Sequence, residues 1–227
     1  MTDPSHGGEG HRARLRKRLI EGGSEALLDH ELIEYLLALA IPRRDTKPLA
    51  KRLIDQFGGF GAVLAADGEA LARVGGLSEG AVAAIKIAQA SALRLLRHEV
   101  IDRPVLGSWQ ALLDYLQADM GHLSAERVRV LHLNTKNHLI RDDLVSEGST
   151  SEAAIYVREV VRRAIDLGSA ALIVVHNHPS GDPTPSRQDI AITRDLIAAA
   201  KPLGIAVHDH VIIARGGHTS LRAEGLI

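Results

Sequence analysis

Apolar residues recur three and four positions apart through the first hundred residues, then alternate or run together, which predicts a helical first half and an α/β second half. Leu15 and Leu19 set a helical spacing within His11–Ile20. Leu32, Leu36 and Leu39 predict a core stripe on a helix that opens at Asp29 or His30 and closes at Ala40, just before Pro42. Residues 47–57 predict a third helix, and GGFGAVLAA a turn with a short helix. From Leu71 to Val100 a glycine-bearing turn leads into a long helix with Ala81, Ala84 and Ile85 facing inward. The helical period stops around residues 98–104, where Pro104 forbids its continuation.

The second half changes period. Trp109–Gln117 predicts a helix opened by Ser108. RVRVLHL, from Arg127 to Leu133, alternates as a half-buried strand, and residues 138–145 pair with it across NTKN as a hairpin. Residues 151–167 predict a helix and the apolar run Ala171–Val175 a buried strand. Residues 186–200 predict a helix whose apolar side chains include Ile190, Ile192 and Ile197, and residues 204–214 a last long strand. That order predicts a mixed sheet with helices on its faces. The expected organisation is a disordered, glycine-rich segment over 1–10, a helical domain over 11–100 and an α/β domain over 104–227.

Composition narrows the function classes. The formal net charge is −1, with 14 basic and 13 acidic residues in 1–100 and 13 and 15 in 101–227, so no global basic field draws the chain onto nucleic acid. The absence of cysteine excludes disulfides, thiolate metal sites, a cysteine nucleophile and the zinc deaminases that need a PCxxC pair. MTDPSHGGEG has no apolar signal core, and no stretch approaches ~18 uninterrupted apolar residues. A soluble, unexported, cytoplasmic protein without membrane contact is expected.

The candidate chemistry lies in ALIVVHNHPSGDPTPSRQDI, residues 171–190. His176 and His178 leave the predicted strand two residues apart, on one side, with Cα atoms roughly 6.6 Å apart, a span from which two imidazoles reach one metal. The loop PSGDPTP holds three prolines and a glycine and predicts a stiff return. Asp189 follows in the first helical turn. Two histidines and a carboxylate supply three N/O ligands, and zinc then keeps an open fourth position for water. SRQD is also a capping box, with Ser186 as N-cap and Asp189 at N3; capping and ligation are compatible. HELIE at His30–Glu34 lacks the second histidine of HExxH, so it is discarded as a metal site.

The spacing His, one residue, His, seven residues, Ser, two residues, Asp resembles the metal signature of the JAB/MPN (JAMM) metallopeptidases, and HNHPSGDPTPSRQD is similar to that of the RadC family. The resemblance extends from about Leu123 to the end, and more loosely over the helical half. It implies a JAB/MPN, cytidine-deaminase-like fold with His176, His178 and Asp189 on zinc. It further implies Ser186 as hydroxyl donor to the oxyanion and a glutamate as general base. The base is expected to be Glu126, which precedes RVRVLHL as the JAMM glutamate precedes or opens an early strand; Glu147 and Glu159 are its rivals. Glu159 lies in YVREVV, similar to a RadC motif but lacking its usual proline. His210 fits the family's Asp-His pair. With His208, two residues before it on the last strand, it predicts either a second site or groups that support the first. Asn177 is expected to face the other side of the strand and bond backbone in the loop.

In the helical half, Val74–Leu77 with the following turn and helix resembles a helix-hairpin-helix, in which backbone N–H groups at a helix N-terminus approach a DNA phosphate. Ser78 stands where the second glycine is usual. The basic run HRARLRKRLI reads either as a phosphate contact or as a solvated helix face, and the hairpin either as a DNA contact or as plain packing. The expected function is zinc-dependent hydrolysis of peptide or isopeptide bonds, with weak, non-specific DNA contact through residues 11–100. The alternative is a DNA-associated adaptor with a structural metal.

Overall fold

The structure, a computed structural model, describes residues 6–101, 104–148 and 155–227. By compactness the chain divides into a unit ending at Ala92 and one beginning at Leu93, a boundary inside one long helix.

The first unit is helical: α1 (His6–Gly22), α2 (Asp29–Ala40), α3 (Lys47–Phe57), α4 (Phe60–Ala65), α5 (Gly68–Ala72) and the start of α6 (Glu79–Ile101). Of the segment expected to be disordered, residues 1–5 lie outside the described residues and 6–10 are helical. Once the turn around Leu15 has formed, extending a helix adds one hydrogen bond per residue and skips the nucleation cost. The core gathers Ile33, Leu37, Leu49, Leu53, Val63, Leu71, Ala81 and Ile85. The stripe on α2 differs from expectation: Ile33 and Leu37 are fully buried, while Leu39 is 68% exposed. Leu39 lies two residues beyond Leu37, about 200° around the helix, and so faces outward.

The hairpin between α5 and α6 forms as predicted. Gly76 takes φ +92°, open to glycine at little cost, and Ser78 Oγ accepts the Ala81 amide at 3.3 Å as a cap. Arg52 donates to Gly75 O at 2.9 Å and Arg44 to Gly76 O at 3.3 Å.

The second unit is a five-stranded sheet ordered β2-β1-β3-β4-β5, with α7 (Trp109–Met120), α8 (Val157–Asp166) and α9 (Arg187–Ala200). The strands are β1 (Arg127–Leu133), β2 (Leu139–Glu147), β3 (Ala171–His178), β4 (Ala206–Ala214) and β5 (Gly217–Ser220). Only β3 and β4 run parallel; the other neighbours are antiparallel. Alternation along β3 sorts the two cores. Ala171, Ile173 and Val175 pack with Leu112 and Leu116 of α7, whereas Leu172 and Val174 pack with Val160 of α8 and Leu196 of α9.

Four differences from the sequence reading bear on the site. β3 continues through His178 because β4 pairs with it to the end, Ala214 opposite His178, so the histidines lie within the strand instead of leaving it. β5 was not predicted; it returns from a tight turn at Arg215 and Gly216. α8 begins at Val157, with Ile155 and Tyr156 non-helical and 151–154 outside the described residues. The inward face of α9 is Thr193, Leu196 and Ala200, with Ile197 partly buried against them. Among the described residues no helix is long and apolar enough to cross a membrane.

Candidate metal centre

His176 and His178 follow Leu172 and Val174 on the face of β3 that meets α9, and Asn177 takes the opposite face. The α9 N-terminus brings Asp189 to the two rings. His176 Nε2 lies 2.9 Å from His178 Nε2 and 3.4 Å from Asp189 Oδ1, and His178 Nε2 lies 3.7 Å from Asp189 Oδ2. Ligand atoms about 2.0–2.1 Å from a tetrahedral zinc stand ~3.3 Å apart, and the three separations bracket that value.

His178 and Asp189 are each held from behind. His178 Nδ1 donates to Asp182 O at 2.9 Å, which leaves Nε2 as the lone-pair nitrogen facing the site. The loop carrying Asp182 is tied down by its own Asx turn: Asp182 Oδ1 accepts from Thr184 N and Oγ1 at 2.9 and 2.7 Å. The capping box on α9 fixes Asp189. Its Oδ2 accepts from Ser186 N and Oγ, both at 2.7 Å, which leaves Oδ1 toward His176. Ser186 Oγ also accepts the Asp189 amide at 3.1 Å.

Electrostatics favour a cation here. Two Nε2 atoms 2.9 Å apart repel unless a proton or a metal ion lies between them. Burial pushes the His176 pKa down to about 4 against the pull of Asp189, so that ring stays neutral at physiological pH. The Asp189 carboxylate raises the His178 pKa, and nearby Glu126 adds to that rise. Burial would raise the Asp189 pKa, but His178, His176 and the Ser186 donors together hold it well below the usual carboxylate range. Two imidazole nitrogens, His178 giving up its proton to a bound ion, and an ionised oxygen fit the donor chemistry of zinc. Among the described residues this is the one such grouping of His, Asp or Glu.

The expected base and its rivals lie in different surroundings. Glu126 is two residues before Val128, which pairs with His176, and its carboxylate acts on His178. Glu147 is exposed and paired with Arg127 at 2.8 Å. Glu159 is paired with Arg162 at 2.9 Å on the surface of α8.

A profile of the RadC-like JAB domain matches residues 106–226, which contain this whole constellation. The chain belongs to that family. A UPF0758 protein of Rhodobacter capsulatus is 52% identical over 213 residues, covering 94% of this chain and all of that one. A UPF0758 protein of Ruegeria pomeroyi is 48% identical over 217 residues, covering 96% of this chain and 97% of its own length. The mixed five-stranded sheet with flanking helices is consistent with the JAB/MPN fold, and a JAMM-like hydrolase domain is what the family membership supports.

Four residues have roles that the sequence reading missed or misplaced. Asn177 does not bond the loop; its Oδ1 accepts the Arg127 amide at 2.8 Å and its Nδ2 donates to Ala125 O at 3.1 Å, gripping the backbone on both sides of Glu126. Antiparallel pairing of β1 with β3 places those peptides beside Asn177, which chain order does not reveal. His208 and His210 do not form a joint site. Val207 pairs with Leu172 but Asp209 with Ile173, so His208 is the extra residue of a β-bulge and the two rings leave the strand differently. His208 Nε2 meets Asn137 Oδ1 at 2.8 Å, whereas His210 Nε2 lies 2.7 Å from His176 Nδ1. Thr193, fully buried one turn after Asp189, contacts His210 Nδ1 at 2.5 Å. Its only sequence signal was the i+4 spacing from Asp189.

Proposed function

We propose that this chain is a zinc-dependent hydrolase that cleaves peptide or isopeptide bonds, with His176, His178 and Asp189 as the metal ligands and Glu126 as the general base. The observation that carries this reading is the convergence of three N/O donors, from His176, His178 and Asp189, within reach of one ion; Glu126, whose negative charge favours a proton on His178, lies outside that grouping. A structural zinc normally recruits a fourth protein ligand; three leave a position for chemistry. Zinc in this site would lower the pKa of a coordinated water and polarise the substrate carbonyl. The chain's own groups do the rest. Glu126 takes a proton from the attacking water at its carboxylate and delivers it to the leaving amine. Ser186 turns its hydroxyl proton from Asp189 Oδ2 toward the developing oxyanion.

Glu126→Gln keeps size and hydrogen bonding but takes no proton. It should fold and bind zinc like wild type while hydrolysis falls by about 10²–10⁴-fold, the usual cost of losing a general base. Mass spectrometry of new termini in a proteome digest or a linked-peptide library, wild type beside variant, reads the result. Equal cleavage by both removes Glu126 from the role; cleavage by neither favours the adaptor reading.

For the helical unit we propose weak, sequence-independent DNA contact. The supporting observation is the pair of guanidinium groups, Arg44 and Arg52, anchored on the hairpin carbonyls beside the capped start of α6.

A further inference from the structure

We infer that Thr193 and His210 are positioning residues that set the tautomer of His176 and tie it to Asp189, so that the two metal ligands from strand and helix are presented as one rigid pair. The inference rests on the metal reading above but goes beyond the ligands themselves.

The chain of bonds has a single starting point. Asp189 O is a backbone carbonyl and only accepts, so Thr193 Oγ1, 2.5 Å away, must donate its one proton to it. That hydroxyl has no proton left for His210 Nδ1, also 2.5 Å away, so its oxygen accepts and His210 carries its proton on Nδ1. A neutral His210 then offers Nε2 as an acceptor, and His176 Nδ1, 2.7 Å away, must be the donor. With its proton on Nδ1, His176 presents a bare Nε2 to His178 and Asp189.

Burial makes this directionality strict. Thr193 and His176 are 1% exposed and His210 is 0% exposed, so no solvent hydrogen bond competes with the protein partners. The series leaves Asp189 through its carbonyl, passes along α9, β4 and β3, and ends at the bare His176 Nε2, 3.4 Å from the Asp189 carboxylate, a gap that a bound cation would close. The backbone of one ligand therefore fixes the lone pair of the other. The partners behind a metal-bound histidine usually contribute 10- to 100-fold in metal affinity, by holding ring angle and protonation together.

The direct test is the tautomer itself in metal-free protein. Long-range ¹H–¹⁵N correlation spectra of ¹⁵N-histidine protein should show His210 and His176 both protonated at Nδ1; an Nε2-protonated form of either ring overturns the inference. Zinc affinity of the full chain, by chelator competition, supplies the second readout. Thr193→Val keeps the shape but removes the hydroxyl, and should weaken zinc by about 10- to 100-fold with His210 no longer confined to one tautomer. Thr193→Ser restores the hydroxyl and should restore both affinity and tautomer. Wild-type affinity in Thr193→Val, or equal losses in both variants, would show that packing alone matters and overturn the role. Failure of wild type to bind zinc strikes the proposed function, while the tautomer spectrum still decides the order of the bonds.

Discussion

Asn177 is the clearest place to ask whether the sheet, and not only the ligand loop, builds this site. It stands between the two histidines yet faces away from them, and its amide grips the peptides flanking Glu126. Asn177→Ala removes both bonds at a position only 1% exposed. A buried polar group left without a partner costs about 1–3 kcal/mol. Ala125 and Arg127 are themselves half-buried, so entering water relieves part of that cost, and the low end, ~1 kcal/mol for each of the two, gives about 2 kcal/mol. The Arg127 amide owes its protection to Asn177, so native-state hydrogen exchange at that amide should speed up about 30-fold, since each ~1.4 kcal/mol is a factor of ten. Hydrolysis should fall with it, because the segment carrying Glu126 keeps the Gly148 amide on Glu126 O but loses the grip of Asn177, while zinc affinity stays at the wild-type level because neither histidine touches the amide. Unchanged Arg127 exchange would refute the clamp. Loss of zinc together with hydrolysis would show that the substitution disturbs β3 as a whole.

Two further outcomes are expected. In metal-free protein His178, with a pKa raised by Asp189, contributes stability that is fully present below about pH 6.5 and lost as pH rises through its folded value; Asp189, held low, contributes stability above about pH 4 that is lost as pH falls through its folded value. Thermal melts in chelator should therefore show the pair's contribution greatest between about pH 4 and 6.5 and missing in Asp189→Asn; parallel pH profiles would refute it. In the helical unit, log affinity of the full chain for a DNA duplex should fall by about 0.9 per phosphate contact per log unit of salt, and Arg44→Ala with Arg52→Ala should flatten that slope; no binding at low salt would leave the unit a scaffold.

The parts of the fold legible in sequence are those where one periodicity acts alone. RVRVLHL has the predicted bounds of β1 because no competing pattern crosses it, and Pro104 follows shortly after α6 ends at Ile101. Where burial is decided by a partner, the pattern underdetermines the result. Helical spacing admits Leu36 and Leu39 on α2 as readily as Ile33 and Leu37, and packing against α3 and α4 buries the second pair fully, keeps Leu36 at the margin of the core and leaves Leu39 outside. β5 has just four residues, too few to show a period, and exists because β4 offers an edge beside the Arg215–Gly216 turn.

The grouping of His176, His178 and Asp189 was legible for the same reason that β1 was: the three lie within one short stretch, so spacing carries geometry. The supporting groups are remote in sequence and become neighbours only through strand pairing. Asn177 reaches Ala125 and Arg127 because β3 lies antiparallel to β1, and His210 reaches His176 because β4 lies parallel on the other side. The bulge at His208 is the decisive detail. Strict alternation from Val207, which packs toward α8 and α9, would place residues 209 and 211 on that side and turn His210 away from His176. One extra residue inverts the phase, buries His210 between His176 and Thr193, and leaves His208 to Asn137. A site assembled on the central strand of a sheet thus takes its donors from one segment and their orientation from both neighbouring strands. For that reason the positioning bonds predicted above should be lost by any change that restores regular pairing to β4, even one that leaves every ligand in place.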